Sequence, residues 1–338
     1  METLDVSVSI KLSEVLGKSG TWFPCLYIVN SELEKDTYDE YKSLAQLADT
    51  ESAKTTYGAS TDVYKHATAL FGQNNKPEKI AVLAQKSFSA STMESYLGKG
   101  WRQLVLVGTH EDKVSIAEYI ETTDKMVFVG IADDTELTTF YGSVKSYDRT
   151  FVVYHTDDTA VSAVVGATAG LTAGSFTYKN MIIKGVEALD WSADELDGEN
   201  GIHARGAITI VEKSGDIVTS EGIVASGKYA DIVDSIDYVI QNISYNTQKT
   251  FNNNNKIPYT NNGISLLEIA TNEALKDAYN NGIIADKEDG TPDYTVSFAM
   301  RSQTTEADRA SRVYPYGNFS FALAGGIHKT VVNGTVSY

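Results

Sequence analysis

The chain has a single cysteine among its 338 residues, so it cannot form a disulfide bond within itself. One cysteine fits a reducing compartment such as the cytoplasm. Because Cys25 lies inside the apolar run from Trp22 to Val29, we expect a buried small hydrophobic residue and not a nucleophile. No apolar run approaches the length of a membrane span, and no basic, apolar leader opens the chain. These absences predict a soluble protein that is not exported.

Positive charge is also scarce. The chain has 28 lysines and arginines against 45 aspartates and glutamates, a formal net charge of −17. Nucleic acids and anionic membranes both select basic surfaces, so we expect no nucleic-acid partner and no direct membrane insertion. The same charge means that copies packed side by side repel each other at every contact.

Common catalytic motifs are missing. There is no GxGxxG, no phosphate-binding loop ending in Lys-Ser/Thr, no GxSxG elbow and no HExxH. The glycine-rich stretch 166–174 follows a helical pattern, so close packing explains it better than phosphate binding. His66 and His203 stand alone, and we expect each to be solvated or capped and not a ligand. These patterns point away from catalysis, and we expect no cofactor and no metal.

What is present, from Trp22 to about Gly185, is a regular alternation of strands and helices. Helical patterns at Lys113–Glu121 and Thr159–Thr168 separate short apolar runs that are typical of strands covered on both faces. This alternation predicts an α/β doubly wound domain with right-handed crossovers. The predicted strands are 26–29, 79–84, 103–108, 126–131 and 150–155.

The turns that follow these strands are where an α/β enzyme would keep its site. They contain His110, Asp112, Asp133 and Asp157, which could bind a divalent cation or perform acid–base chemistry. A divalent-metal-dependent hydrolase is therefore the alternative function. Threonine and aspartate before a helix more often cap it, and Thr109 with Asp112 is close to a capping box, so we favour capping.

After about residue 185 the pattern changes to that of an α+β domain. Strands at 206–211 and 216–219 flank a hairpin signal at 212–215, and a helix follows with one apolar stripe. An asparagine-rich connector is expected at 246–256, then a helix over about 265–281 that ends in a left-handed cap at Gly282. Strands are predicted at 295–300 and 318–323. The stripe consists of Ile232, Val233, Ile236, Ile240 and Ile243.

Both ends of the chain have strand patterns. Alternating apolar residues mark the N-terminal segment, and residues 327–338 are rich in β-branched and aromatic side chains. The two segments could pair with each other in one molecule, or each could add a strand to the sheet of another subunit. The N-terminal apolar residues are Leu4, Val6, Val8, Ile10 and Leu12.

Two segments of the second half resemble the tail sheath proteins of contractile phage tails and related particles. They are 222–237, with its glycine-containing hairpin and Gly-x-Tyr helix start, and 256–264, with its Lys-Ile-Pro-Tyr-Thr turn. Residues 174–186 are similar to that family's junction into its assembly domain, and 326–329 to the start of its C-terminal arm. The likeness covers the chain from about Gly174 to the end. Over the α/β domain it rests on order and architecture.

The resemblance implies a structural subunit that polymerises helically around a tail tube by interlaced strand exchange and contracts to drive the tube through the host envelope. It implies an N-terminal arm with the entry to the assembly domain at 1–20, an α/β outer domain at 21–185, a tube-facing α+β assembly domain at 186–326 and a C-terminal arm at 327–338. The implied partners are many copies of this chain, the tail tube protein, and the baseplate and tail terminator proteins. The implied location is a virion tail or phage-tail-like particle assembled in the host cytoplasm.

The interface residues follow from the same resemblance. The N-terminal arm would contribute its five alternating apolar residues, and Lys249, Lys256 and Lys276 are candidates for tube contact. A closed-ring protein such as a tube or terminator is disfavoured because strand-like arms stand at both ends. The C-terminal arm would contribute Ile327, Thr330, Val331, Val332 and Val336.

Overall fold

The computed structural model describes residues 22–49 and 55–331. Its first part is a seven-stranded sheet with helices on both faces. The strands are β1 (Phe23–Val29), β2 (Thr37–Tyr41), β3 (Ile80–Gln85), β4 (Trp101–Leu106), β5 (Met126–Ile131), β6 (Thr150–Tyr154) and β7 (Ala207–Ile208). The helices are α1 (Leu44–Ala48), α2 (Asp62–Phe71), α3 (Ala90–Leu97), α4 (Lys113–Glu121), α5 (Asp134–Val144), α6 (Ala160–Thr168) and α7 (Ala193–Asp197).

The strand order in this sheet is β2-β3-β1-β4-β5-β6-β7. All neighbouring pairs are parallel except β2 and β3, which are antiparallel. The five predicted strands are therefore confirmed as the parallel centre of the sheet, with ends shifted by up to three residues. The edge strands β2 and β7 carry no clear signal in the sequence, because they are polar or very short. Because β7 lies after residue 185, the domain limits remain a prediction.

Two hydrophobic cores lie on the two faces of the sheet. Helices α2 and α6 cover one face, and α3, α4 and α5 cover the other. On the first face the rings of Phe128 and Phe151 stack at 5.0 Å, and Tyr178 packs against both. Burying one such ring stabilises the fold by about 2–3 kcal/mol. Cys25 is fully buried in the second core, as predicted, and burial raises the pKa of its thiol.

Helices α2 and α6 approach each other closely at Gly166. A Cβ atom at this position would come within 2.5 Å of the Leu70 carbonyl oxygen, so packing explains this glycine. The prediction that His66 is solvated or capped was wrong. It is 1% exposed because α6 covers it, and its Nδ1 lies 2.7 Å from the Ser162 Oγ. Burial lowers the pKa of His66.

The second part combines two small antiparallel sheets with a pair of long helices. Its strands pair as β8 (Ile210–Lys213) with β9 (Asp216–Thr219), and as β10 (Tyr294–Phe298) with β11 (Gly317–Phe321). Its helices are α8 (Ala230–Asn253), α9 (Asn261–Asn280) and the short α10 (Glu306–Ser311), with 3-10 turns at His203–Arg205 and Arg301–Gln303. Gly282 has a φ of +74° and Ile283 behind it is buried, which confirms the predicted cap.

The long helix α8 departs from two expectations. It continues to Asn253, so most of the predicted connector is helical. Asparagine and threonine are weak helix formers, but here their side chains bond along the helix, as Thr250 Oγ1 does to the Asn246 carbonyl at 2.8 Å. The apolar stripe is also only partly buried: Val233 and Ile243 are buried, while Ile232, Ile236 and Ile240 are half-buried.

Candidate subunit-interface site

The β10–β11 sheet has two strands and therefore two outer edges with no strand beside them in the described chain. The register pairs Tyr294 with Phe321 and Phe298 with Gly317. An isolated two-stranded sheet is marginally stable in water, and an unpaired edge presents a row of free N–H and C=O groups. This hairpin is therefore incomplete as a sheet and open to further strands.

The side chains of the hairpin alternate as a half-buried sheet requires. The inner face carries apolar and aromatic residues that pack against α9. The outer face carries small polar residues, and Thr295 and Ser320 form a cross-strand hydroxyl pair at 2.7 Å. Neither strand contains a charged residue, although 22% of the chain is charged. Charged side chains are a common protection of an edge against pairing, so these edges lack it. The inner residues are Tyr294, Val296, Phe298, Phe319 and Phe321.

An aromatic cluster holds one end of the hairpin. The Phe298 ring covers Gly317, where a Cβ would come 2.7 Å from it, and stacks on Tyr314 at 5.8 Å. Tyr259, from the segment that resembles the sheath-family turn, contacts the same tyrosine at 5.9 Å and donates to the Val313 carbonyl at 3.2 Å. A ring laid over a strand glycine compensates for its missing side chain. The hairpin is thereby fixed to the loop between α8 and α9.

The other small hairpin is covered. The amides of Asn180 and Ile183 donate to carbonyls of β9, at Thr219 and Ile217, so the segment 180–183 runs along its outer edge. On the other side, Leu189 donates to the Ile210 carbonyl of β8. The open edges of β10 and β11 are thus specific to one of the two hairpins.

An open groove of about 650 Å³ lies beside the hairpin, between the distal halves of α8 and α9. Its apolar lining includes Phe251 and Val313, both large side chains that are about half exposed. Arg312 stands at the same groove. The distal end of the helix pair is therefore apolar and solvent-facing, unlike the end that meets the seven-stranded sheet.

A buried ionic network joins the two parts of the chain. Arg102 on β4 donates to Asp234 (Nε, 3.1 Å) and to Asp237 (Nη1, 2.6 Å), both on α8. Arg149 also donates to both carboxylate oxygens of Asp237, at 2.7 and 2.9 Å. Burial opposes ionisation, but the charges of Arg102 and Arg149 lower the pKa of Asp237. The paired charges fix the rotation of α8 relative to the sheet.

Trp22, the first described residue, contacts both sides of this network. Its ring lies over the Arg102 guanidinium at 4.3 Å, and its Nε1 donates to Gln241 on α8 at 2.6 Å. The described chain therefore begins at the junction of the sheet and the helix pair. Sequence reasoning missed the network because Arg102 and Asp234 are 132 residues apart and nothing local pairs them.

The strand-end turns, which are the candidates for metal or acid–base chemistry, are occupied by the chain's own contacts. His110 stacks on Tyr27 at 5.4 Å, at the point between β1 and β4 where the strand order reverses, and its Nε2 lies 3.1 Å from the Val107 carbonyl. His155 donates from Nε2 to the Glu187 carbonyl at 3.0 Å and accepts from the Asp157 amide at 2.9 Å. Burial lowers the pKa of His110, which keeps the ring neutral.

Capping at these turns is confirmed in one place and wrong in another. Asp133 caps α5 by accepting from the Glu136 amide at 2.9 Å. Thr109 does not cap α4, and Asp112 stands at the N-cap without a side-chain bond. The reason is the turn at Gly108, with a φ of +80°, which folds His110 back onto the sheet before the helix begins. Across residues 22–49 and 55–331, no three histidine, cysteine, aspartate or glutamate side chains are grouped to hold a metal.

The C-terminal arm residues that the structure describes are exposed. Ile327 and Val331 are 92% and 84% exposed, and Thr330 is also exposed. Residues 325–331 make no backbone–backbone hydrogen bond with another described residue. Val332 and Val336 lie outside the described residues, as do all five N-terminal residues.

The three candidate tube-contact lysines are all exposed, but they are spread over the helix pair. Lys249 is on α8, Lys256 is in the loop after it, and Lys276 is near the end of α9. His203, in its 3-10 turn, is bonded on both nitrogens, to Asp197 at 2.7 Å and Ser220 at 2.8 Å.

Comparison with solved structures identifies the fold. The chain is similar to the sheath of an extracellular contractile injection system in its contracted state, with 12% identity over 99% of this chain and 97% of that chain and a TM-score of 0.73. It is similar to the contracted helical sheath of the anti-feeding prophage, with 11% identity over 99% of both chains and a TM-score of 0.69. A sheath tail protein from Listeria innocua matches over 85% of this chain and 90% of its own, at 10% identity and a TM-score of 0.58.

The chain therefore has the fold of contractile tail sheath proteins, and the resemblance seen in the sequence is confirmed at the level of fold. No protein-family model matches the chain, and no curated protein matches it in sequence. The metal-dependent hydrolase alternative has no support from these comparisons. None of the helices in the described part of the chain is both long enough and apolar enough to cross a membrane.

Proposed function

We propose that this chain is the structural subunit of a contractile tail sheath. Many copies would polymerise helically around a tail tube, and the polymer would contract to drive the tube through the host envelope. The observation that carries this proposal is the β10–β11 hairpin, whose two uncharged edges are open in the described chain. Two open edges match the two strand-patterned termini in number.

The assembly step is strand addition between copies. A donated strand satisfies the free N–H and C=O groups of an edge and buries apolar side chains on its inner face. The N-terminal arm, residues 1–20, carries its apolar set on alternate positions, which suits a sheet with one buried face. Each subunit would receive strands from neighbours and donate its own arms to others. Because such contacts are heterologous and do not close, they generate a helix of subunits.

The role is mechanical and not catalytic. At the strand-end position where an α/β enzyme would keep its site, the rings of Tyr27 and His110 stack on each other at 5.4 Å, so both side chains are engaged in the chain's own contacts. The α/β domain, residues 21–185, would form the outer body. The α8–α9 pair within residues 186–326 would face the tube, and contraction would be a rigid-body change between two packings.

The partners follow from that arrangement. The exposed Lys249 and Lys256 lie at the distal end of the helix pair, where a chain of net charge −17 would present local positive charge to a tube subunit. Lys276, the third candidate, lies near the other end of α9. The baseplate and the tail terminator would contact the two ends of the polymer. The particle would be a virion tail or a phage-tail-like device, assembled in the host cytoplasm.

Deletion of residues 1–12 tests the proposal. The truncated chain should stay folded and monomeric, because the apolar face of the arm would be buried in a neighbouring copy and not in its own subunit, and it should form no tubes by negative-stain electron microscopy. Tubes of normal appearance from the truncated chain would contradict the arm assignment.

A matched pair of variants separates arm pairing from a simple charge effect. Val6→Asp with Val8→Asp places two charges on the apolar face of the arm, and Ser7→Asp with Ser9→Asp places the same charges on the polar face. Only the first pair should abolish tubes. Equal loss in both would show that added negative charge, and not strand packing, prevents assembly.

A further inference from the structure

The base of the C-terminal arm crosses from the open hairpin to the other part of the chain. After β11, the Ala324 amide donates to the Ile283 carbonyl at 2.9 Å, which is the last backbone–backbone hydrogen bond before the described chain ends at residue 331. Gly325 then takes a φ of +62° and Gly326 follows. Here the chain lies along an open groove of about 340 Å³, which also includes Gly174–Thr177 and Asp231. Two successive glycines make this point a ready pivot.

His328 is the residue that fastens the arm beyond this pivot. Its Nε2 lies 2.9 Å from the Thr177 Oγ1 and its Nδ1 lies 3.2 Å from the Glu221 Oε1. Its ring meets Tyr229 edge-on, with centroids 4.6 Å apart. The His328 side chain is only 9% exposed, whereas Ile327 beside it is 92% exposed. Among the described residues, the arm base is therefore held by the His328 side chain.

The pocket that receives His328 belongs to the body of the molecule. Glu221 is itself paired with the buried Lys179, so its carboxylate stays in place without the arm. Asp231, at the start of α8, is buried nearby with one carboxylate oxygen that has no hydrogen-bond partner among the described residues. Burial raises the pKa of Asp231. The body thus offers a fixed polar pocket that an imidazole can enter or leave.

Resting on the proposed sheath function, we propose that His328 is a latch that sets the free length of the C-terminal arm. With His328 seated, the described chain is held as far as residue 328, and the length available to the arm is counted from Lys329. With His328 released, the chain is held only as far as Ala324, and residues 325–328 join the free arm. Four residues add roughly 13 Å of extended chain. When the polymer changes from one packing to the other, the distance between neighbouring subunits would change. The extra length of chain would let the arm keep its strand pairing in the neighbour.

Trypsin cleavage after Lys329 measures the latch in the free subunit, without any assembly. His328→Ala should speed release of the peptide 330–338, followed by mass spectrometry, by roughly tenfold, as expected when the hydrogen bond between His328 and Thr177 is lost and the open population rises. Cleavage after the exposed Lys256, far from the pocket, is the internal control and should not change. Equal release from His328→Ala and the wild-type chain would overturn the latch.

A disulfide across the pivot tests whether residues 325–328 must be released when the polymer changes from one packing to the other. A Cβ at residue 326 would lie 3.6 Å from the Thr177 Cβ, which suits a disulfide, and the only native cysteine is buried. The variant Thr177→Cys with Gly326→Cys should form tubes that contract when reduced, but tubes that stay in one packing when oxidised. Thr177→Cys alone is the control for the lost hydroxyl, and Gly326→Cys alone is the control for the added Cβ, which would lie 3.2 Å from the His328 Nε2. Equal contraction of oxidised and reduced tubes would show that contraction does not require the release of residues 325–328.

The two experiments separate this inference from the proposed function. Failure of the wild-type chain to form tubes would remove the sheath proposal and with it the role of residues 325–328 in contraction. Faster release of the peptide 330–338 from His328→Ala would still establish the latch as a property of the subunit.

Discussion

The seven-stranded sheet and the β10–β11 hairpin differ in whether their edge strands are protected against pairing with another chain. The large sheet ends on one side in β2, which carries Asp39 and Glu40, and on the other in β7, which has two residues. Charge and shortness both discourage pairing with another chain. The hairpin has five-residue strands without charge at both of its edges. The same molecule therefore protects one sheet from its neighbours and leaves another available to them.

This difference shows which region of the described chain is completed by its own residues and which region has unpaired strand edges. In the large sheet, apolar residues are buried on both faces, and Tyr27 and His110 stack on each other where the strand order reverses. In the hairpin, aromatic side chains remain partly exposed and each strand has one partner strand among the described residues. Stability should therefore depend on the first region, and association on the second.

The largest expected effect comes from the junction of the two regions. Arg102→Ala leaves Asp234 and Asp237 buried without their main partner, and the free energy of unfolding should fall by about 3–5 kcal/mol. Denaturant unfolding measures it. Arg205→Ala, which breaks an ion pair with the largely exposed Asp134, should cost about 1 kcal/mol or less. Similar losses in both variants would contradict the junction's role.

Two glycine-to-alanine variants should change the free energy of unfolding in opposite directions. A Cβ at Gly263 would come 1.9 Å from the Pro258 carbonyl oxygen, so Gly263→Ala should destabilise the turn by about 1–3 kcal/mol. Gly142 lies on the exposed face of α5, where an added Cβ would meet no atom within 4 Å, so Gly142→Ala should stabilise by roughly 0.5–1 kcal/mol. Thermal unfolding of both variants checks the prediction, and a stabilised Gly263→Ala would refute it.

The buried histidines of the α/β domain should make it sensitive to mild acid. An unfolded histidine has a pKa of about 6.5. Burial lowers the pKa of His66 and His110 in the folded chain, so below pH 6.5 the unfolded chain binds more protons. Their contribution to stability is complete above pH 6.5 and is lost as the pH falls toward the folded-state pKa.

His110→Phe tests that dependence because phenylalanine can keep the stacking on Tyr27. The slope of unfolding free energy against pH, below pH 6.5, should become shallower by up to about 1.4 kcal/mol per pH unit. At pH 8 the histidine is neutral in both states, so any remaining difference reports packing alone. An unchanged slope would show that His110 does not titrate on unfolding.

The smallest expected effect on stability is in the hairpin. Phe298→Ala removes the ring over Gly317 and its stacking on Tyr314, and should lower the free energy of local hairpin opening by about 1 kcal/mol. Global unfolding should change little, because the main cores are elsewhere. Tube formation should nevertheless weaken. A large loss of global stability without loss of assembly would contradict the claim that the hairpin serves association and the large sheet serves stability.

Local patterns in the sequence predicted the elements that bury continuous apolar runs. The five parallel strands, the hairpin around 212–215 and the cap at Gly282 needed only neighbouring residues to be recognised. The single strand predicted at 206–211 was wrong, because the chain divides there between β7 and β8. The connector expected at 246–256 was wrong because asparagine-rich helices depend on side-chain bonds and on packing with α9, as where Asn246 reaches the Ala270 carbonyl at 3.4 Å.

The candidate site was predictable only in part, for a similar reason. The alternation in 294–298 is visible in the sequence, but whether a strand edge is covered depends on segments far away in the chain. The same holds for Arg102 with Asp234, and for His328 with Thr177, whose partners are brought together only by the fold. His66 was misjudged because nothing near it predicts that α6 lies on top.

Amide hydrogen exchange over residues 294–298 and 317–321 tests the central claim most directly, when it is measured on the free subunit and on the assembled polymer. We expect the outward-facing amides of both strands to exchange rapidly in the free subunit and to become protected in the polymer, because donated strands complete both edges. Protection that is already present in the free subunit, or that never appears in the polymer, would contradict strand donation at this hairpin.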